Sequence, residues 1–502
     1  MSRWGPSVDG ALTTLGVIGA GVVILSVVAL QSGPASSNGA LNPAGGITTN
    51  QSGGPVQNNN SNVPGVTSTT GPNTPGSGGR QVVQGGKVQT TASCAAGQND
   101  GSTDRGITRD KIKLGATVVQ SGIGASFLGP VSSALNAVKN KVNQAGGICG
   151  RQLDVTLIDD GWDPNRGFQF IQNLVQDKGV FALAVNPSSE GLRIGSLNHY
   201  FAKTHTPVVG SDGMLNAQYT DPWIWPIAAS TVSTMHIMAY DACTRLRKHQ
   251  FSIVFDSKYH FGVEGAYAFN QAVKRCTGHD IPGYFDPSSG GGCSSRFCAI
   301  AAGQTSYDTE NKTWRDQCFG GSGGGKCDFA AFLLEPNEAL NFLRNGTDIY
   351  VDKGMAQTLF TRSFASGCGS TCDGAMVWTG YNPPIEQFAG LPAVKQYVST
   401  VQSANPTIDI LNQFLEGGYA GMELMVDELK KLGAHPTRDG LAALLDQTDY
   451  NDGLTTPLSW RAGHHFANGA MQAFAIEYKG GFDGFRSVTG WVKDPYLGQD
   501  VK

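Results

Sequence analysis

Serine, histidine and cysteine are the residues of this chain that could act as nucleophiles or hold a metal, and their neighbours argue against both roles. Ser211 stands in VGSDG, which lacks the first glycine of a strand-to-helix nucleophile elbow, and no order of Ser, acid and His accompanies it. His464 and His465 are adjacent rather than four apart, so they cannot face one metal from a helix, and adjacent histidines at a strand start are expected to face solvent. The ten cysteines include no CxxC pair and no His at finger spacing, which argues for disulfides over zinc. SGIGAS does not complete GxGxxG, and GGSGGGK lacks the following Ser or Thr, so neither phosphate loop is satisfied. The expectation is a protein that is not an enzyme and carries no cofactor or metal. What remains is a set of small polar residues suited to non-covalent binding. Ser188 and Ser189 precede a helix, where hydroxyls and free amides bind a carboxylate or simply cap the helix. Ser211, Asp212 and Gly213 form a second such loop, or an ordinary turn.

The elements that must hold these loops alternate between strand and helix. Strands are predicted at 113–118, 152–158, 180–185 and 207–210, with helices at 130–144 and 165–176. Such alternation implies a parallel sheet with helices on both faces, and ligands then sit beyond the carboxyl ends of the strands. SGIGASF and NPSSEG are two of those loops. The pattern resumes with a helix at 231–248, a strand at 251–255, a helix at 261–274, and a strand at 329–334 followed by a helix from Asn337. Asp352 ends a further strand and another begins at Ala375, while helices are expected at 418–432 and 437–446. Residues 106 to 500 exceed one ordinary core and should form two lobes. Pro287 to Lys326, rich in Gly and Ser and holding three cysteines, reads as a disulfide-pinned surface insertion.

Residues 11–30 carry no charge and are almost wholly apolar, long enough at about 1.5 Å per residue to cross a roughly 30 Å hydrocarbon core. They are expected to be a membrane anchor or a cleaved export signal, with residues 1–10 as a short cytoplasmic tail in the anchored case. No charged residue lies between Asp9 and Arg80, and the Gly, Ser, Asn, Thr and Pro composition makes residues 31–105 a disordered linker. Its reach as a random coil is about 45 to 50 Å. An even cysteine count fits an oxidising compartment outside the membrane. Cys368 with Cys372 and Cys318 with Cys327 would close short loops; Cys243 and Cys276 flank one strand and helix, and Cys94 could reach Cys149. The net charge of −4 and pI near 6.1 speak against a nucleic-acid partner.

Taken together, IKLGATVVQSG, NQAGGICGRQLDVTLIDDGWDP, VFALAVNPSSEG, PVVGSDG, DPWIWPI, FGVEG, CDFAAFLLEP, GYAGMELMVDELKKLGAHPTRDGLAALL and YNDGLTTPLSW give the chain its relationship. It resembles the type I periplasmic binding proteins of the branched-chain amino acid class, the solute receptors of ABC importers, over almost all of 106–500. The resemblance implies two α/β lobes joined by a three-stranded hinge: lobe one at 106–230 and 357–455, lobe two at 231–356 and 456–502. Carried over by position, the ligand loops fall on Phe127, on Ser188 and Ser189, and on Ser211, Asp212 and Gly213. In lobe two the resemblance implies Phe261 as the covering aromatic, Tyr259 close by, and Asp352 as the acid that meets an amino group. Three positions depart from the amino-acid binders. Met214 replaces a Thr, Phe261 replaces a Tyr, and Asp352 replaces the commoner Glu. These widen the implied ligand set to amides, small organic acids and aromatic acids.

The expected function is therefore a receptor, held at the cell membrane by a single pass, that traps a small polar solute and passes it to an ABC permease. The alternative is a ligand-sensing ectodomain working through a membrane partner, since about ten residues before the apolar run are too few for a signalling domain.

Overall fold

The computed structural model describes Cys94 and residues 98–320, 326–344, 351–463, 465–466 and 469–501. The expected span 11–30 lies outside these residues, as does most of the linker; among the described residues no helix is long and apolar enough to cross a membrane.

Two sheets organise the chain. The first is wholly parallel, in the order β2 (Gln152–Asp159), β1 (Lys111–Val118), β3 (Ala182–Ala184), β4 (Val208–Ser211), β5 (Ile224–Pro226). Its central strand β3 is apolar and buried throughout because helices cover both faces. The helix Gln413–Leu432 returns late in the chain to lie on β4 and on the helix Val131–Gln144. Contact there is close: a Cβ on Gly210, at φ +73°, would come within 2.4 Å of the Gly421 Cα, so only two glycines allow it.

The second sheet has seven strands. Five are parallel: β10 (Met376–Thr379), β9 (Asp352–Met355), β8 (Phe329–Leu333), β6 (Phe251–Asp256) and β7 (Phe297–Ile300). An antiparallel hairpin, β13 (Gln472–Tyr478) with β14 (Phe482–Ser487), extends it beside β10. A small ladder, β11 (Asp449–Tyr450) with β12 (Leu458–Ser459), stands apart. Between the sheets the chain passes at 227–230, at 380–391 and at 460–471, and this is the two-lobed architecture that the alternating pattern predicts.

Four regions of the chain differ from the sequence expectations. Asp352 begins β9 rather than ending a strand, because pairing with Phe329–Phe332 of β8 selects DKGM as the strand despite its poor β-propensity. β10 lies in the second sheet, so the stretch 357–455 does not belong to lobe one as a whole. Pro287–Lys326 is no mere surface insertion: it supplies β7 and the helix Asp308–Phe319, whose Trp314 is fully buried against Phe332 and Phe342. The last residues counted in the linker are docked on lobe one. Asn99 Nδ2 donates to the carbonyls of Arg109 and Cys149, buried Arg151 donates to the Gly101 carbonyl, and Arg105 donates to that of Gln176. Disulfides join Cys94–Cys149, Cys243–Cys276, Cys293–Cys298, Cys318–Cys327 and Cys368–Cys372. The first fastens the start of the described chain to lobe one.

Candidate functional site

The loops beyond the carboxyl ends of both sheets meet across one cleft, and its centre is a residue the sequence reading passed over. Trp162 follows β2 in the turn DDGW, at φ +64°. A bulky residue in the left-handed region is strained, and here Asp160 Oδ1 holds it by accepting from the Trp162 N–H at 2.8 Å. Its indole lies flat on Tyr259 of lobe two, ring centroids 4.2 Å apart, with Phe261 behind at 5.9 Å and Phe127 of lobe one edge-on at 5.4 Å. Phe414, from the helix that returns to lobe one, closes the group at 5.2 Å from Phe127. Phe127, Tyr259 and Phe261 are thus brought together, with Trp162 as the piece that joins them. Its only sequence signal was its place in a strand-end loop.

The β3 loop lies beside the same turn. The buried Ser188 hydroxyl lies near the Asp160 carboxylate without a hydrogen bond to it and gives no side-chain cap to the helix Ser189–Leu197. Burial raises Asp160 to about 6, less than it would without the nearby Ser188 hydroxyl and the bond from the Trp162 N–H. Ser189 is buried beside Glu190, whose carboxylate crosses to lobe two. Glu190 accepts from the His260 N–H at 2.7 Å and from His260 Nδ1 at 3.0 Å, at the start of the helix His260–Thr277, while Arg193 Nε holds it from its own side at 3.1 Å. Burial pushes this acid up, but His260 and Arg193 outweigh burial and leave it below the usual carboxylate range. A second crossing is the Asn216 N–H donated to Glu264 Oε2 at 2.9 Å. Burial raises Glu264 to about 7.

The β4 loop is built around Gln218, another residue with no signal in the sequence. Its Oε1 accepts from Ser211 Oγ at 2.7 Å and the Gly213 N–H at 2.9 Å. That fixes the amide, so its Nε2 donates to Asp212 Oδ1 at 2.9 Å. Ser211 therefore donates to an amide oxygen, which is not a base, and no activated nucleophile results. Gly213, at φ +67°, cannot be replaced without moving Tyr219, whose hydroxyl would lie 2.2 Å from an added Cβ. Asp212 Oδ2 is buried without a partner, and burial raises this acid to about 7. It lines a small enclosed cavity together with Val185 and Pro187 of the β3 loop, Ala228 and Tyr381 where the chain passes between lobes, and Gln413 and Phe414. In this closed arrangement the cavity has room for about one water, so a larger ligand requires the lobes to part.

Two sequence expectations fall elsewhere. Asp352 sits at the opposite end of its sheet from the cleft, half exposed and 2.8 Å from Lys248. His465 does not face solvent: it is buried, bonded through Nδ1 to the Ile224 carbonyl at 2.5 Å and through Nε2 to Asp446 at 3.1 Å. His464 lies outside the described residues. Among the described residues no group of His, Cys, Asp and Glu is placed to hold a metal ion.

A family model described as periplasmic binding protein matches residues 111–481. No curated protein sequence matches. Among solved structures, a fatty acid ABC transporter substrate-binding protein from Thermomonospora curvata is similar at 18% identity and a TM-score of 0.66, covering 81% of this chain and 99% of that one. A possible leucine/isoleucine/valine-binding protein from Rhodopirellula baltica is similar at 15% identity and 0.62, covering 76% and 96%. A solute binding protein of an ABC transporter from Rhodopseudomonas palustris, solved with 3,4-dihydroxybenzoic acid, is similar at 16% identity and 0.62, covering 77% and 99%. At these identities the likeness is one of fold.

Proposed function

The chain belongs to the periplasmic binding protein family, a family of binding proteins rather than enzymes, and from that premise we propose that it is the extracytoplasmic receptor of an ABC importer. It captures a small polar solute between its two lobes and presents the closed form to a permease, tethered by residues 11–30 and its linker. Amino acids, amides and small organic acids, aromatic acids included, are the solutes in view, and the neighbours named for leucine, isoleucine and valine or solved with 3,4-dihydroxybenzoic acid bring weight to that range. We place the site at Phe127, Ser188, Ser189, Ser211, Asp212, Gly213, Tyr259 and Phe261, and add Trp162.

The observation that carries the reading is the meeting of Trp162 with Tyr259 across the cleft, at the carboxyl ends of both sheets. A solute that touches both lobes there favours closure through contacts that the open form lacks. No covalent step is needed. The test is a thermal-shift screen of the full chain against amino acids, amides, short carboxylic acids and aromatic acids. A solute at 100 times its dissociation constant adds about 2.7 kcal/mol of stability. A hit that weakens on Trp162→Ala supports the reading; a hit that is turned over chemically, or one indifferent to Trp162, sinks it.

A further inference from the structure

Several buried acids stand at the cleft, and the chain satisfies them to different degrees. Glu190 has His260 and Arg193, Glu264 has the Asn216 N–H on Oε2, and Asp160 has the Trp162 N–H on Oδ1 but leaves Oδ2 unpartnered beside Ser188. Asp212 keeps an oxygen, Oδ2, with no partner, is only 9% exposed, and of these acids is the one that lines the cavity. It is not loosely held. Gln218 grips the other oxygen at 2.9 Å, with an amide whose orientation two further hydrogen bonds determine.

The second observation concerns what shares the cavity. Gln413 presents Oε1, also buried without a partner, and Glu416, three residues further along the same helix, keeps Oε1 unpartnered outside the cavity lining. Burial pushes Glu416 and Tyr381 well above their ordinary values and so favours their uncharged forms. The cations near the cleft are committed elsewhere: Arg193 and His260 face Glu190, and Lys258 is exposed over the Tyr259 ring. The unpartnered donors, Trp162 Nε1, Asn186 Nδ2 and Asn216 Nδ2, are neutral. A solute carboxylate seated beside Asp212 would thus meet either a like charge or an acid held in its protonated form, with no cation to offset it, whereas an ammonium would supply the hydrogen bond and the charge that Oδ2 lacks.

We propose that the solute carries a cationic amine or amidine, and that this group docks on Asp212 Oδ2 and Gln413 Oε1 with the apolar body of the solute against Val185, Pro187, Ala228 and Phe414. The inference rests on the receptor reading and narrows it. It assigns lobe one the recognition of the cation and leaves the aromatic pair Trp162 and Tyr259 to cover the remainder as the lobes close.

The test uses matched probes that share a skeleton and differ in charge: isobutylamine, isobutyramide and isobutyrate, then benzylamine, benzamide and benzoate. Each is titrated calorimetrically into the purified full chain at constant ionic strength. The expected result is binding of at least one amine about tenfold or more tighter than its matched acid, lost by a similar factor in Asp212→Asn. That variant keeps an oxygen for Gln218, and an unchanged circular dichroism spectrum shows that it folds. Gln413→Leu gives a second, smaller loss. Binding of the acids or amides with the amines silent overturns the inference and leaves the receptor standing. Equal binding of an amine by wild type and Asp212→Asn overturns it too, and silence of all six probes together with the wider solute panel overturns both readings.

Discussion

Two regions of this molecule bury carboxylates and treat them in opposite ways. At the C-terminus, Asp500 lies against His236 Nε2 at 2.8 Å and takes a bidentate pair from Arg275 at 2.6 and 2.9 Å. Burial raises an acid, but these two cations outweigh it and pull Asp500 down to about 2. His236 is buried, and its other nitrogen is 3.1 Å from Asp494 Oδ2. Burial disfavours its charge, yet the two carboxylates raise it above the ordinary value for histidine. At the cleft, Asp212 is as deeply placed and receives no cation, and burial raises it to about 7. One region is complete within the chain; the other is left to be completed by something that arrives. That difference separates a structural staple from a binding site more surely than residue type does, since both use Asp.

The staple can be broken from its centre. His236→Ala strands the Asp494 carboxylate, which has no exposed side-chain surface, and loss of one partner of a buried pair costs about 3–5 kcal/mol. Urea unfolding should show this as a lower midpoint. The wild-type pH dependence has a definite sign. The raised His236 stabilises the fold fully below its unfolded value of about 6.5, and this is lost as pH rises through its folded value. The lowered Asp500 stabilises above its unfolded value of about 3.9, and this is lost as pH falls towards 2. The wild-type advantage over His236→Ala should therefore be greatest between about pH 4 and 6.5.

Asp212 should behave in the reverse sense. Its folded value, raised to about 7, means that the acid form is favoured in the fold, and stability is lost as pH rises from about 4 through 7. Asp212→Asn removes that loss, so the unliganded variant should be more stable than wild type by about 1–3 kcal/mol at pH 8 and nearly equal at pH 4. Glu190, Tyr219 and Tyr381 face the same group, so the comparison is made between the two proteins at each pH rather than along one curve. A variant less stable than wild type at pH 8 would mean that Asp212 is satisfied in the free protein, and the contrast with the staple would fall.

Glu190 lies between these extremes, an acid satisfied by the opposite lobe. Glu190→Gln keeps an acceptor for the His260 N–H but gives up the charge, which is worth about 1 kcal/mol of preference for closure. The unfolding midpoint should barely move. The radius of gyration of the unliganded protein in small-angle scattering should rise, and an unchanged radius would show that closure does not depend on this contact.

Much of this arrangement was legible beforehand, because regular elements announce themselves through local periodicity. The strand read at 152–158 is Gln152–Asp159, and the helix read at 130–144 is Val131–Gln144. The β3 and β4 loops were legible for the same reason, since strand ends locate them. Partners drawn from distant segments were not legible. Gln218 gains meaning only when its amide meets Asp212, Tyr381 only when the chain has returned from the second lobe, and Glu190 only when His260 arrives 70 residues later. Trp314 shows the converse error, where Gly and Ser on either side hid a buried helix.

The smallest expected effect belongs to Asp352, and it tests the same contrast from outside. Resemblance placed this acid at the ligand, but pairing with β8 sets it at the amino end of β9, where a cleft residue would have to follow the carboxyl end. Its side chain is 52% exposed and its partner is Lys248, a surface pair worth about 0–1 kcal/mol because water screens both charges. Asp352→Ala should leave solute affinity unchanged and move the unfolding midpoint within that range. Tyr259 and Trp162, by contrast, lie at the carboxyl ends of their sheets and should alter affinity when truncated. If Asp352→Ala abolished binding while Trp162→Ala did not, the ligand would lie at the wrong end of the second sheet, and the division between a finished staple and an unfinished cleft would have to be redrawn.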